Sequence, residues 1–407
     1  MGFIPRGRPD LYNYLYPMKK EWQPSTKAIR GQLPRTEYGE HSSPLFLTSS
    51  FTFDSADQMA AAFRGENDRI IYSRYNNPSV DELVAKACAL EGTAAGFATS
   101  TGMSAVFASI AALVEQGDHI IATRALFGST HQLLTQVFPR WGVTCTYVEP
   151  EDTDSWAAAL TPRTKMFLTE TPSNPGLKLV DLAAAGAFCR EHDLLYVVDN
   201  CFATAYLQRP ADYGADLVTH SATKWMDGQG RVLGGLLLGT EEIMEKVIFF
   251  CRHTGPAISP FNAWVISKSL ETLHVRMDAH CRNALALAEW LQEHPAVARV
   301  HYPFLETHPQ HDLARRQMRA GGGLVAYELK EGATAAARLL DRAELCSRSS
   351  NLGDSRTILT HPATTTHSKL TVAERAAVGI SDGLIRMSVG LEDIQDLKDD
   401  LANGLAT

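Results

Sequence analysis

The sequence has no Lys- or Arg-rich run, and its 38 Lys and Arg are outnumbered by 46 Asp and Glu, giving a net charge of -8. Nothing in it suits a phosphate backbone, so nucleic acid is not an expected partner. It also has no C-x-x-C pair. Its seven cysteines (Cys88, Cys145, Cys189, Cys201, Cys251, Cys281 and Cys346) are scattered and odd in number. That pattern argues against a disulfide framework and a zinc knuckle, leaves no metal site to expect, and suits a reducing cytoplasm. No stretch approaches the roughly 18 apolar residues of a membrane span. The N-terminus, MGFIPRGRPDLYNYLYPMKKEW, mixes charge, proline and aromatics without an apolar h-region, so neither export nor membrane anchoring is expected. Internal repeats and low-complexity tracts are missing too. What remains is ordinary for a globular protein, with 45% hydrophobic and 21% charged residues over 407 positions, enough for two or three compact units.

The fold class read from this pattern is α/β. Between Gly117 and Leu238, β-rich apolar runs alternate with helix-like segments, as when parallel strands are joined by crossover helices. The strands read as HIIATR (119–124), VTCTYV (143–148), KMFLTE (165–170), LLYVVD (194–199), DLVTHS (216–221) and LGGLLLG (233–239). Helices are expected over 129–140, 152–160 and 181–192, each opened by a capping-type residue, and over 80–91 and 103–115, the last two separated by GTAAGFATSTG, in which a short strand ends in small hydroxylated residues and glycine. After them, 259–293 reads as one long connecting helix. A smaller α+β unit follows, with strands VARVHYP, GLVAYELK and LIRMSVG and helices over 334–342 and 391–401. The expected division is therefore an N-terminal arm (1–60), a large cofactor-binding domain (61–258), and the connecting helix with a C-terminal α+β domain (259–407). Met18 opens a more ordinary run, so 1–17 read as an upstream extension outside the fold. The rest of the arm should pack on something else, such as a second subunit.

In an open parallel sheet, ligands collect beyond the carboxyl ends of the strands. LLYVVD ends in Asp199, and DLVTHS runs on through Ala222 and Thr223 into Lys224. Singly, Asp199 is as well read as a helix cap and Lys224 as a solvated lysine. Together, a lysine for an aldehyde, a carboxylate for a pyridine nitrogen, and the hydroxyls of Ser221 and Thr223 for a phosphate suit pyridoxal 5'-phosphate. Gly102 and Met103 open a helix whose N-terminus would attract the same phosphate.

These residues lie in motifs that are together highly specific: YSRYNNPSV, TSTGMSA, LFGST, ETPSNP, VVDNCFAT, HSATKWMDGQG, NLGD with HPATTTH, and IRMSVGLED. From about Ser43 onward the chain resembles the Cys/Met-metabolism (cystathionine gamma-synthase-like) branch of the fold-type I pyridoxal-phosphate transferases. That resemblance implies a large, mostly parallel sheet domain and a smaller C-terminal α+β domain. It makes Lys224 the Schiff-base lysine and Asp199 the partner of the pyridine nitrogen. It assigns the phosphate to Gly102, Met103, Ser221 and Thr223, with Tyr72 and Arg74 reaching it from a neighbouring subunit. Asn174 would bond the ring hydroxyl, Phe127 would stack on the ring, and Arg386 would clamp the substrate α-carboxylate, with Asn351 beside it. Arg124, at the end of HIIATR, is expected to read a succinyl carboxylate, unless it simply pairs with a surface carboxylate.

Three departures bear on activity. The family usually has tyrosine where Phe127 stands, and phenylalanine can stack but cannot shuttle a proton. Methionine gamma-lyases generally have cysteine at the position of Ser129. NLGD, with Asp354, also differs from the SLGG of cystathionine synthases and lyases. The implied reaction is γ-replacement on O-succinylhomoserine by sulfide, giving homocysteine and succinate, in a homo-oligomer, a tetramer of two active-site dimers. Cysteine as nucleophile, or the O-acetyl ester as substrate, would use the same residues. A nicotinamide-dependent oxidoreductase would also fit a doubly wound sheet, but G-x-G-x-x-G is missing after the first strand.

Overall fold

The computed structural model describes residues 18, 19, 21–369, 371–377 and 379–406. The extension read over 1–17 lies outside them. Seven strands form the larger sheet: β1 (Ala95–Thr99), β2 (His119–Thr123), β3 (Thr144–Val148), β4 (Thr164–Glu170), β5 (Leu195–Asp199), β6 (Leu217–Ser221) and β7 (Gly235–Gly239). Their order is β1-β7-β6-β5-β4-β2-β3. From β6 to β3 every pairing is parallel, because a helical crossover separates each strand from the next. The exception is β7, antiparallel to both β6 and β1. Only the turn 222–234, with no crossover helix, separates it from β6, so the chain returns in the opposite direction. LGGLLLG thus forms a strand as its apolar run predicts, but with its direction reversed relative to the rest.

Strands β1, β2 and β7 are buried along their whole length, as continuous apolar runs demand when both faces are covered. One face packs on the helices Gly102–Ala111 and Glu241–Thr254 through Ala105, Ala108, Met244 and Val247. The other packs on Leu182–Glu191 through Leu182, Ala185 and Cys189.

Five further strands form the second sheet: β8 (Val297–His301), β9 (Leu324–Leu329), β10 (Ser347–Arg348), β11 (Ile358–Thr360) and β12 (Leu384–Ser388), in the order β10-β11-β12-β9-β8. Its core is closed by the helices Gly332–Arg342 and Ile394–Leu405 through Leu339, Leu397 and Leu401. A separate apolar cluster joins Ala222, Trp225 and Leu236 of the larger unit to Leu324, Ala326 and Leu384 of the smaller one. The ends of β6 and β12 are thereby held at one junction.

The long helix expected over 259–293 is two helices, Pro260–Leu270 and Leu273–Gln292. Between them Thr272 leaves helical geometry (φ -111°, ψ 6°) and its hydroxyl donates to the Ser269 carbonyl at 3.2 Å. A β-branched residue that bonds its own backbone competes with helix continuation. The helix over 129–140 is likewise shorter, ending at Gln132 before a wider and then a tighter turn. The arm is less independent than expected. Glu82 accepts the Leu33 N–H at 3.1 Å, and the Trp264 indole donates to the Ser43 carbonyl at 2.9 Å, so this stretch packs on its own chain. All seven cysteines are free thiols.

Candidate active site

Several of the candidate side chains sit where strands stop. Register pairs Asp199, the last residue of β5, with Thr219 of β6, two residues before that strand ends. A tight turn follows β6, in which the Lys224 N–H donates to the Ser221 carbonyl at 3.1 Å and the Lys224 carbonyl accepts from Gly228 at 2.8 Å. This turn carries Lys224 back over the sheet end. Its Nζ donates to Asn351 Oδ1, from the segment between β10 and β11. Burial lowers the Lys224 pKa from the ordinary lysine range; Cys201 opposes that shift and the Arg386 guanidinium adds to it. The ammonium form is therefore disfavoured, and the side chain is predisposed to act as an amine.

Arg386, in the middle of β12, is 3% exposed. Its Nη1 donates to Asn174 Oδ1 at 3.2 Å, and its Nη2 to the Ser350 and Asn351 carbonyls at 3.0 and 3.1 Å. Its Nε has no hydrogen-bond partner, and among the described residues no carboxylate pairs with it. Burial pulls its pKa down to about 10. A buried cation with a vacant donor and no counter-ion is a receptor for an anion, and a planar fork suits a carboxylate.

Asp199 accepts one hydrogen bond, from the Cys201 N–H to Oδ1 at 3.0 Å. Burial pushes its pKa up to about 6, with that hydrogen bond and His220 pulling the other way. A recessed carboxylate with so little compensation gains from a cation beside it. At the other end, a Cβ on Gly102 would lie 2.6 Å from the Ser221 Cβ, so only glycine lets the helix N-terminus at Gly102 approach β6. The helix N-terminus, with Met103 next to Gly102, thus lies against Ser221, while its Ser104 N–H is already taken by the Thr101 hydroxyl at 3.0 Å.

The structure thus gathers Lys224, Asn351, Arg386 and Asn174 into one hydrogen-bonded group, and packs Gly102 closely against Ser221. The Thr223 hydroxyl is engaged with Gly234, donating to its carbonyl at 3.2 Å and accepting from its N–H at 3.1 Å. Tyr72 is 41% exposed. Arg74 donates to the Arg252 carbonyl and lies over the Tyr72 and Tyr75 rings at 5.4 and 4.9 Å. Arg124 stands apart from these groups: its Nε donates to Glu149 at 2.8 Å in an exposed ion pair. This is the surface pairing that the sequence left open beside the succinyl contact. Glu170, to which the sequence alone assigns no role, ends β4 in register with Asp199 and accepts the Phe127 N–H at 2.6 Å. It carries the same signal as Asp199, a carboxylate at the end of a buried strand.

These residues fit pyridoxal phosphate: a lysine whose pKa burial lowers, a buried carboxylate whose pKa burial raises, and a helix N-terminus that only glycine lets approach the end of β6. Among the described residues no group of three or more His, Cys, Asp or Glu could hold a metal, and no helix is long and apolar enough to cross a membrane.

Comparison with known proteins agrees with this chemistry. The family model described as Cys/Met metabolism PLP-dependent enzyme matches residues 25–406. O-succinylhomoserine sulfhydrylase of Pseudomonas aeruginosa is 48% identical over 94% of each chain. L-methionine gamma-lyase of Porphyromonas gingivalis is 41% identical over 94% of this chain and 96% of its own. A Campylobacter jejuni crystal structure, described as an O-acetylhomoserine (thiol)-lyase carrying a pyridoxyl-lysine monophosphate, superposes with a TM-score of 0.92 at 29% identity, covering 95% of this chain and 100% of its own. With its lysine and buried arginine joined through Asn351 at the junction of two sheets, the chain belongs to the Cys/Met-metabolism family of pyridoxal-phosphate-dependent enzymes.

Proposed function

We propose that the chain catalyses γ-replacement on O-succinylhomoserine: the Cγ–O bond breaks, succinate leaves, and sulfide forms the new Cγ–S bond of homocysteine. The observation that carries this reading is the 48% identity to an O-succinylhomoserine sulfhydrylase, against 41% to a methionine gamma-lyase. The bound cofactor supplies an electron sink conjugated to the substrate Cα. Every other role falls to side chains. Lys224 Nζ, its pKa lowered by burial, takes the Cα proton and then a Cβ proton, so that the Cγ–O bond can break, and returns protons to both carbons once the Cγ–S bond has formed. Asp199 holds the proton on the ring nitrogen. Arg386 fixes the α-carboxylate through Nε and an Nη, and Asn174, whose Oδ1 accepts from the same guanidinium, would offer its amide N–H to the ring hydroxyl. Phe127 would stack on the bound ring, and having no hydroxyl it leaves proton transfer to Lys224.

A methionine gamma-lyase is the second reading, favoured by the 41% relative; cystathionine formation from cysteine and use of the O-acetyl ester are the further alternatives. We also propose a homo-oligomer, a tetramer of two active-site dimers, in which Tyr72 and Arg74 reach the partner's phosphate. The exposure of Tyr72 and of Leu47, Phe63, Phe249 and Phe261 supports a surface covered by a second copy. The seven free thiols support a reducing compartment, which we take to be the cytoplasm. The deciding experiment is a product assay with O-succinyl- and O-acetylhomoserine, each offered sulfide and cysteine, beside methionine alone. Homocysteine formed fastest from the succinyl ester and sulfide is expected. Faster thiol release from methionine would replace this reading with the lyase.

A further inference from the structure

Glu170 is a buried carboxyl group with no part in the chemistry above. In the sheet, β4 lies between β5, which ends at Asp199, and β2, whose following loop carries Phe127. Glu170 is in register with Asp199 on one side. On the other, its Oε2 accepts the Phe127 N–H at 2.6 Å. Phe127 precedes the helix Gly128–Gln132, which no side chain caps in the usual way; the loop starts where the Arg124 N–H donates to the Val148 carbonyl and Leu126 is buried, and Glu170 adds a side-chain tie at Phe127 itself.

We propose that Glu170 is a positioning residue for the cofactor ring: from the end of β4 its carboxyl group holds the Phe127 backbone, so that the Phe127 ring is placed relative to Asp199. This rests on the reading that Phe127 and Asp199 face the cofactor. Burial and the neighbouring Asp199 charge push the Glu170 pKa well above the usual carboxylate range. A neutral carboxyl group still accepts an N–H through its carbonyl oxygen, so the role requires an acceptor at the right length and no charge. Glutamine retains that acceptor, aspartate retracts it by one methylene, and alanine removes it.

The experiment titrates apoprotein with pyridoxal phosphate and follows the dissociation constant and the visible band. Glu170→Ala and Glu170→Asp should weaken binding at least about tenfold, or about 1.4 kcal/mol, and shift the band. Glu170→Gln should bind within about threefold of wild type and keep its band. If the alanine variant fails to fold, aspartate against glutamine makes the same comparison. Wild-type binding by both shortened variants, or an equal loss in glutamine, overturns the proposal. A wild-type band that borohydride fixes, and that Lys224→Ala lacks, secures the cofactor site independently. A wild type without that band overturns the site reading and the Glu170 role together.

Discussion

Replacing Arg386 by lysine keeps a positive charge and removes a planar fork. In the native site Nη1 and Nη2 are tied to Asn174, Ser350 and Asn351, while Nε has no acceptor. A substrate carboxylate meeting Nε–H and a remaining Nη–H gains two charge-assisted hydrogen bonds, and an ammonium tied to the same carbonyls can supply one at best. The loss of one such bond is about 1.5–3 kcal/mol, or roughly a 10- to 150-fold fall in kcat/KM for O-succinylhomoserine. Because the α-carboxylate is held before and during the reaction, most of the fall should appear as a higher KM. The lysine also loses bonds to buried carbonyls, so the melting temperature should drop by a few degrees, and kcat and KM are to be measured with cofactor in excess at a temperature where both proteins are folded. A substrate lacking the α-carboxylate separates the two effects: wild type and variant should process it equally poorly. A folded Arg386→Lys protein within about threefold of wild type on the natural ester would refute the clamp. An equal loss on the substrate without a carboxylate would assign Arg386 to the scaffold.

Asp199→Asn keeps the shape and removes the charge, so activity should fall about a hundredfold or more while cofactor binding largely persists; retention of most activity would contradict the electron-sink role. Its pKa is raised from 3.8 to about 6, so the native apoprotein holds a proton that the unfolded chain has lost, and stability falls as pH rises through that interval. Apo Asp199→Asn should therefore melt above wild type at pH 8 and lose that advantage near pH 4, and equal melting at pH 8 would count against the uncompensated carboxylate. Arg74→Ala mixed with Lys224→Ala should regain activity in hybrid dimers through one intact site, whereas no recovery despite proven subunit exchange would mean that each site is built from one chain. Arg124→Ala, which breaks only an exposed pair with Glu149 worth about 1 kcal/mol or less, should change kcat/KM on the succinyl and acetyl esters by the same small factor. A selective loss on the succinyl ester would restore Arg124 as the succinyl contact.

Strand-end chemistry was readable because apolar runs announce where buried strands stop, and the residue after each stop is where an open parallel sheet presents ligands. Asp199 and Lys224 were found that way, and the motifs around them named the family. Glu170 ends a run of the same kind, but a single carboxylate gains meaning only once it lies beside Asp199 and under the Phe127 amide. Strand direction was not readable for β7, since a run of leucines pairs equally well either way and the short connection decides. Strands of two or three residues such as β10 and β11 leave no periodicity to detect.

By itself the sequence determined composition class, strand positions in the larger sheet, the residue types needed for the cofactor, and the aromatic at position 127 that lacks a hydroxyl. These are local properties, set by each segment's own side chains. Only the tertiary structure decided which residues meet. Arg386 reaches Asn174 across 212 positions and Lys224 reaches Asn351 across 127, because the apolar cluster between the two sheets brings β12 against the end of β6. Arg124 pairs with Glu149 for a similar reason, β2 and β3 lying side by side, and no local pattern could rank that partner above a substrate.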